Sequence, residues 1–513
     1  MEVKKILAFS AVLVLTGCEV ELQLDSANES LELSAGDKRP LEISGNWTRS
    51  DERMPVFVRL SSSDGLIQES IVDVTNTPDF TVTAVTNSAL TAGSYIGQVL
   101  VDACADLDCV DVYPDSQVAV QLSLTVADVP GWTTHQGNPQ HTGYFPVWIN
   151  PENIELAWQW SADDVGDPIG GVNMPVANNG LLYISSDVFL SDAYLYAINP
   201  LDGTEVWRFA FGEKPALNPP AVDGNNVYIS TSGHDDTFLW AISADEGNYV
   251  WSSPFSSQWG NYLAPVAIDG EVYQTGGYSG GYTYKYSAEN GQALWSANAT
   301  TSSGHDSVGV MGDKVFGYKN NALAIIARDT GTLEQTINDP LGDTDRDYHG
   351  APVIVSEEQI ILFSGGAFSG RASSNVEQYD NRVISSFDIA NGSYTWSTDF
   401  TYKTHFAFAD GVLYAGRGAS AILDAIDLST GDILWSWTAP AGDSGFHRNI
   451  VVTDNLVFAS TDRAVYAINL ENHEAEWTYP EAGMMLITDT RELVLVPGMR
   501  ESDGRVLGFS TAP

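Results

Sequence analysis

The chain has 513 residues, with 23 Lys and Arg against 67 Asp and Glu, a formal net charge of −44 at pH 7. That balance argues against nucleic acid or an anionic membrane surface as a general partner, since both would be repelled. The length leaves room for two or more domains, each with an ample core.

Residues 1–17 read as a processing signal. Lys4 and Lys5 form a charged start, Ile6 to Leu15 is an apolar run too short to span a bilayer, and small residues follow. The run ends in Leu15-Thr16-Gly17-Cys18, which resembles a bacterial lipobox. The resemblance implies that Cys18 becomes the mature N-terminus and carries acyl chains, and several chains on one cysteine anchor stably where one binds marginally. Glu19 follows, and no Asp stands there to resemble an inner-membrane retention signal. The expected location is therefore the outer membrane of the cell envelope.

Residues 18–128 alternate apolar and polar positions in short runs broken by Gly, Pro, Asn and Asp. Examples are Val56-Phe57-Val58-Arg59-Leu60 and the ten-residue run from Gln117 to Val126. Period-two patterning with frequent turns predicts an all-β sandwich. The stretch from Ala92 to Val126 resembles bacterial immunoglobulin-like modules. Besides Cys18 the chain has only Cys104 and Cys109. A close pair in an exported chain, with no accompanying His, points to a disulfide rather than a metal site.

After a lead-in at residues 129–153, one pattern recurs. It reads Ala197-Ile-Asn-Pro-Leu-Asp-Gly203-Thr-Glu-Val-Trp207, then Ala241 to Trp251 with Gly247, and Lys285 to Trp295 with Gly291. It returns from Ser386 to Trp396 with Gly392 and from Ala425 to Trp435 with Gly431. Two copies are degenerate: Gly331 is followed by Gln335 in the Trp slot, and Ala467 to Trp477 has His473 in the Gly slot. The pattern is that of strand, tight turn and strand, with Gly accepting the turn's positive φ and the Trp free to wedge against the next unit. Units of about forty residues with four strands each are a propeller period. Seven units lie within the chain. Three C-terminal strands, around Met485, Leu493 to Val496 and Val506 to Phe509, need a fourth, and Ile154-Glu155-Leu156-Ala157-Trp158 supplies it. Residues 154–513 are thus expected to form an eight-bladed β-propeller closed by strands from both ends, which leaves no open array edge.

The repeat resembles the tryptophan-docking motif of the pyrroloquinoline-quinone (PQQ) propeller superfamily. The lead-in Trp132-Thr-Thr-His135-Gln-Gly137-Asn138-Pro-Gln-His141-Thr-Gly143-Tyr144 is similar to the segment before the first blade in such proteins. That superfamily holds dehydrogenases and also non-enzymatic lipoproteins such as the propeller subunit of the outer-membrane barrel-assembly machinery. The dehydrogenases resemble one another in a vicinal cysteine pair over the quinone, and here every cysteine precedes the propeller. No quinone or calcium ligand carries over residue by residue. The expectation is a lipid-anchored, non-enzymatic envelope protein without a cofactor, binding or scaffolding a protein partner or an anionic ligand. The alternative is a quinoprotein-type oxidoreductase, or a PQQ- and calcium-binding protein, using the top face of the propeller.

Charge is uneven along the propeller. Three basic residues (Arg208, Lys214, Lys285) lie between Ile154 and Val310, and thirteen between Met311 and Pro513. Lys319, Arg371, Arg417, Arg463 and Arg500 recur where the second strand of successive blades ends, on the face called the top here. His305, His349 and His447 share one register just before an inner strand, and His405 stands two residues out of it. Together these nine make a candidate anion site, strengthened below about pH 6.5 if the histidines charge. The competing expectation is strand-end residues each paired with a local carboxylate. Asp343, Asp345 and Asp347 have the alternate spacing that opens a calcium loop, but Tyr348 replaces the glycine and the loop lacks its closing Glu, which favours a solvated acidic loop. His135 and His141 read as packing residues, and His234-Asp235-Asp236 as a solvent-facing loop.

Overall fold

A computed structural model describes residues 20–165, 171–233, 237–256, 264–276, 282–298, 307–319, 321–342, 353–356, 358–364, 382–498 and 504–512. They fall in two compact units divided between Asp128 and Val129. Both are all-β.

The first unit has two sheets. One pairs Val20–Leu24 with Pro40–Arg49 and Asp79–Val85; the other orders Asn28–Ser34, Val118–Ala127, Gly93–Cys104, Phe57–Ser61 and Ser70–Asp73. Alternation sends Phe80, Val82 and Ala84 of one sheet and Val120, Leu122, Leu124 and Val126 of the other into a shared core. Each such side chain contributes about 1.5–3 kcal/mol on leaving water. Arg59 on one strand reaches the nearly buried Asp102 on its neighbour at 2.6 Å. The Cα atoms of Cys104 and Cys109 lie 5.1 Å apart, within disulfide range. Asp106, between them, accepts the amides of Val110 and Asp111, and those bonds hold its carboxyl below the usual range.

The second unit consists of eight four-stranded antiparallel sheets among the described residues. The first runs from Val176–Asn178 to Glu205–Lys214, the second from Ala221–Asp223 to Tyr249–Pro254, and the third from Val266–Ile268 to Ala293–Ala297. The fourth spans Gly309–Met311 to Leu333–Asn338, the fifth Val353–Ser356 to Ser393–Ser397, and the sixth Ala407–Ala409 to Ile433–Thr438. The seventh spans Phe446–Val452 to Ala475–Tyr479. In the eighth, Gly483–Ile487, Leu493–Pro497 and Arg505–Ser510 are completed by Glu155–Ser161, so that Trp158 lies opposite Gly508. This repeated architecture is a β-propeller.

One local device recurs in all eight sheets. Where the third and fourth strands pair, the register slips by one residue immediately before the Trp slot, as at Ala197/Ile198 opposite Trp207. Such a bulge leaves one residue unpaired and re-aims its neighbour. The unpaired residue faces solvent, which is why Val206, Val250, Leu294 and Leu434 are exposed although apolar. The re-aimed residue is the indole, which lies over the turn of the next sheet. At Gly247 the turn needs φ +69°, and a Cβ there would sit 2.5 Å from the Trp207 ring, so both conformation and contact require glycine.

The same contact links Trp158 to Gly203, Trp251 to Gly291, Trp295 to Gly331 and Trp396 to Gly431. All five of these indoles also donate Nε1–H to the carbonyl three residues beyond the start of the next motif, at Pro200, Ala244, Ala288, Arg328 and Leu428. His473 takes the glycine's place at φ +59° and stacks on Trp435 with centroids 4.3 Å apart. Trp477 of the seventh sheet donates to Ile154 O at the start of the closing strand. Contacts thus pass from the eighth sheet back to the first. Gln335 alone breaks the series.

Deleting Ile154 to Trp160 should remove both the eighth sheet's outer strand and the indole that docks on Gly203. Thermal unfolding followed by circular dichroism should then broaden and shift down, with more aggregation; a parent-like melt would contradict this closure.

Candidate functional site: the lead-in and the inner strands

The lead-in does more than precede the first sheet. It meets the eight sheets in chain order, mostly through backbone carbonyls. Trp132 O accepts from Ala177 N of the first sheet and Thr133 O from Val222 N of the second, both at 2.8 Å. Thr134 Oγ1 donates to Pro265 O beside the third sheet. Pro139 O and Gln140 O accept from Val310 N and Ile354 N of the fourth and fifth, each at 2.9 Å. Thr142 O accepts from Phe408 N of the sixth at 2.7 Å, and Gly143 O from Val452 N of the seventh at 2.9 Å. Trp148 O accepts from Arg491 Nη2, in the first turn of the eighth sheet, at 2.7 Å. The segment therefore lies inside the ring of inner strands. Trp132, Phe145, Val147 and Ile149 share a core with the first, seventh and eighth sheets.

This threading brings His135 and His141 beside His405, which precedes the sixth sheet's inner strand. The His135 ring lies 4.6 Å from that of His405 and 5.3 Å from that of His141, both edge-on. Arg448, 1% exposed and at φ +69°, completes the group; its Nε donates to Gly498 O at 2.9 Å. Burial, with Arg448 and His141 nearby, pushes His405 down to about 3. Burial, then His405 and His141, also hold His135 well below the usual imidazole range. These two rings are neutral at neutral pH. Before the first sheet's inner strand, Asn173 donates to Ser185 Oγ, Ser186 O and, across to the second sheet, Leu217 O. Asn449 exchanges two bonds with Met485 of the eighth sheet.

The expected ring of nine cations is only partly in view. Arg417 is paired with a local carboxylate, the competing expectation for these residues. Its Nε bonds Asp424 Oδ2 at 2.7 Å, its guanidinium lies 3.6 Å from the Phe400 ring centroid, and Tyr402 and Ser436 also donate to Asp424. A desolvated carboxylate on the adjacent strand thus claims that charge. His405 is corrected as well: it belongs to the lead-in cluster, and with a pKa near 3 it adds no charge at pH 6.5. Arg463 is exposed at a turn beside Gly442, and His447 is buried next to Asp462, whose carboxyl is lowered chiefly by bonds from Ser444 and also by His447. Lys319 ends the fourth sheet's second strand, opposite Ala322. Its side chain lies outside the described residues, as do Cys18, Arg371, Arg500, His305, His349, His234 and the Asp343, Asp345, Asp347 loop. Arg448 was not singled out in the sequence, where it is one Arg after a His at a strand start.

A calcium-held, carboxylate-bearing quinone would need several oxygen ligands together and a cation free for its acid groups. Among the described residues no cluster of three or more His, Cys, Asp or Glu is placed to hold a metal. The Arg448 Nε is committed to a backbone carbonyl. The described donor set does not fit that group.

Eight sheets, joined by docked indoles at every junction but the one at Gln335, with a chain segment threaded along their inner strands, define a tryptophan-docking β-propeller. A family model described as outer membrane protein assembly factor BamB matches residues 191–436 and 380–512. The chain belongs to that family. Among solved structures, BamB from Moraxella catarrhalis is similar at 14% identity over 70% of this chain and 97% of that one, with a TM-score of 0.49. A europium-containing methanol dehydrogenase is similar at 13% identity over 72% and 90%, with a TM-score of 0.52, a likeness of fold alone. None of the curated proteins compared matches.

The depressed pKa of His405 has a direct consequence. Between pH 6.5 and about 3 the unfolded chain binds a proton there that the folded one does not, so folding stability falls as pH falls through that window. One such group changes stability by at most about 1.4 kcal/mol per pH unit. In His405→Gln the melting temperature should decline less steeply from pH 6.5 to 4 than in the parent; equal slopes would contradict the assignment.

Proposed function

We propose that this chain is a lipid-anchored cell-envelope protein that binds or scaffolds another envelope protein through the surface of a closed eight-bladed propeller. One observation carries the reading: the lead-in runs along the ring of inner strands and bonds in or beside every sheet, so the chain's own backbone and neutral imidazoles line the inside of that ring. What such a molecule presents is its loops. Family membership supports an interaction role, because the family's description is of an assembly factor. The first seventeen residues and Cys18 supply export and the anchor, most simply in the outer membrane. Among the described residues no helix is long and apolar enough to cross a membrane.

The N-terminal unit acts as an immunoglobulin-like spacer, stapled by a Cys104–Cys109 disulfide at the end of a core strand. On the top face, Lys319, Arg371, Arg463 and Arg500 with His305, His349 and His447 form the anionic contact. Arg417 and His405 have left that set. Its charge is screened by salt, so the contact weakens as ionic strength rises.

Two results test this in cells. Cys18→Ala should leave the protein in the soluble fraction or unprocessed, and a processed, acylated variant still in membranes would overturn the anchor. Reversible cross-linking of the full chain should recover one envelope protein in near-equal amount, lost in Arg371→Glu/Arg463→Glu. Recovery of none, or unchanged recovery with the double variant, would overturn the binding surface.

A further inference from the structure

The one break in the indole series leaves a space. Between the fourth and fifth sheets, where Gln335 replaces the Trp, lies a cavity of about 280 Å³. Its walls identify it as the vacant indole position. In the first, second, third and sixth sheets the docked indole packs against an aromatic on its own sheet's second strand: Tyr183–Trp207, Tyr228–Trp251, Tyr273–Trp295 and Tyr414–Trp435, at about 6 Å. The counterpart in the fourth sheet is Phe316, and Phe316 lines this cavity. The carbonyl that accepts the indole N–H belongs elsewhere to Pro200, Ala244, Ala288, Arg328 and Leu428. The residue in that motif position of the fifth sheet is Ile389, which also lines the cavity. Gln335 reaches only far enough to bring its amide over Gly392.

We propose that this cavity receives a tryptophan side chain from another protein, presented on a segment rich in Lys or Arg. The volume falls just below the roughly 300–1,000 Å³ of pockets for drug-sized ligands and suits a single side chain. The walls supply an apolar face from Met311, Phe316 and Ile389. The rim sets the flanking chemistry: Asp313 and Glu358 are exposed there, Lys314 is bonded to Asp313 at 3.0 Å, and Glu334 stands exposed beside Gln335. Net negative charge at the mouth favours a basic segment. Leu333, 47% exposed on the same strand, offers apolar area next to the opening. The site lies in turns opposite the basic face and does not depend on it.

The test uses the full chain and a probe peptide, acetyl-Lys-Lys-Trp-Lys-Lys-amide labelled as 5-fluorotryptophan, followed by ¹⁹F line broadening. The parent should bind it, with Gln335→Trp and Glu358→Lys each weakening binding, the first by at least roughly tenfold. Gln335→Trp should also melt above the parent, since the chain then fills its own slot. A lower melting temperature in that variant would show the slot does not accept an indole and would overturn the proposal. So would equal binding of an Ala-for-Trp peptide, no binding to the parent, or binding of N-acetyl-tryptophanamide as tight as the peptide's. Concentration-dependent dimers abolished by Gln335→Trp would replace a foreign partner with a second copy, and count against it as well.

Discussion

The propeller depends on one repeated contact, an indole from the outer strand of one sheet lying over the turn glycine of the next. Each half of the contact needs the other. The bulge before the Trp frees it from its own sheet's plane, and the glycine leaves the ring somewhere to lie. The buried N–H then finds a carbonyl, so that no polar group is stranded when the face goes dry. A four-stranded sheet alone would expose both faces. Docked in sequence, each sheet covers its neighbour, and Trp158 and Trp477 carry the series across the eighth sheet, where the propeller's first strand joins its last three.

Given that ring, the lead-in becomes intelligible. Inner strands converge, and their amides near the axis need acceptors that no fifth strand provides. The lead-in carbonyls supply them in six of the eight sheets. Polar side chains drawn in with it must be satisfied or neutral, and the depressed pKa values of His135 and His405 follow from that burial. Arg448 stays charged beside them, which lowers His405 further.

The architecture was largely legible because docking writes itself into side chains: Trp, Gly and their spacing, with the closing strand betrayed by Trp158. Even the degenerate copies were visible, and Gln335 marks the cavity it leaves. The candidate site was much less so. Most lead-in bonds to the sheets are made by backbone carbonyls, which no residue type reports, so His135 and His141 could be placed only as packing. Arg417 looked like one member of a ring because the repeat register was all the sequence offered. Its partner, Asp424, sits on the adjacent strand, and only the pairing of those strands shows that the two charges meet. Arg448 was hidden for a related reason: a bulge between His447 and Ile450 turns it inward.

The most direct measurement is a double-mutant cycle on one junction. Trp207→Ala and Gly247→Ala are combined, and the stability of parent, singles and double is read from denaturant unfolding at constant m-value. If the indole and the turn act as one unit, Gly247→Ala will already have displaced the ring. The double variant will then lose less than the two single losses together, with a coupling of about 1 kcal/mol or more. Losses that add within roughly 0.3–0.5 kcal/mol, as independent sites do, would contradict the central claim.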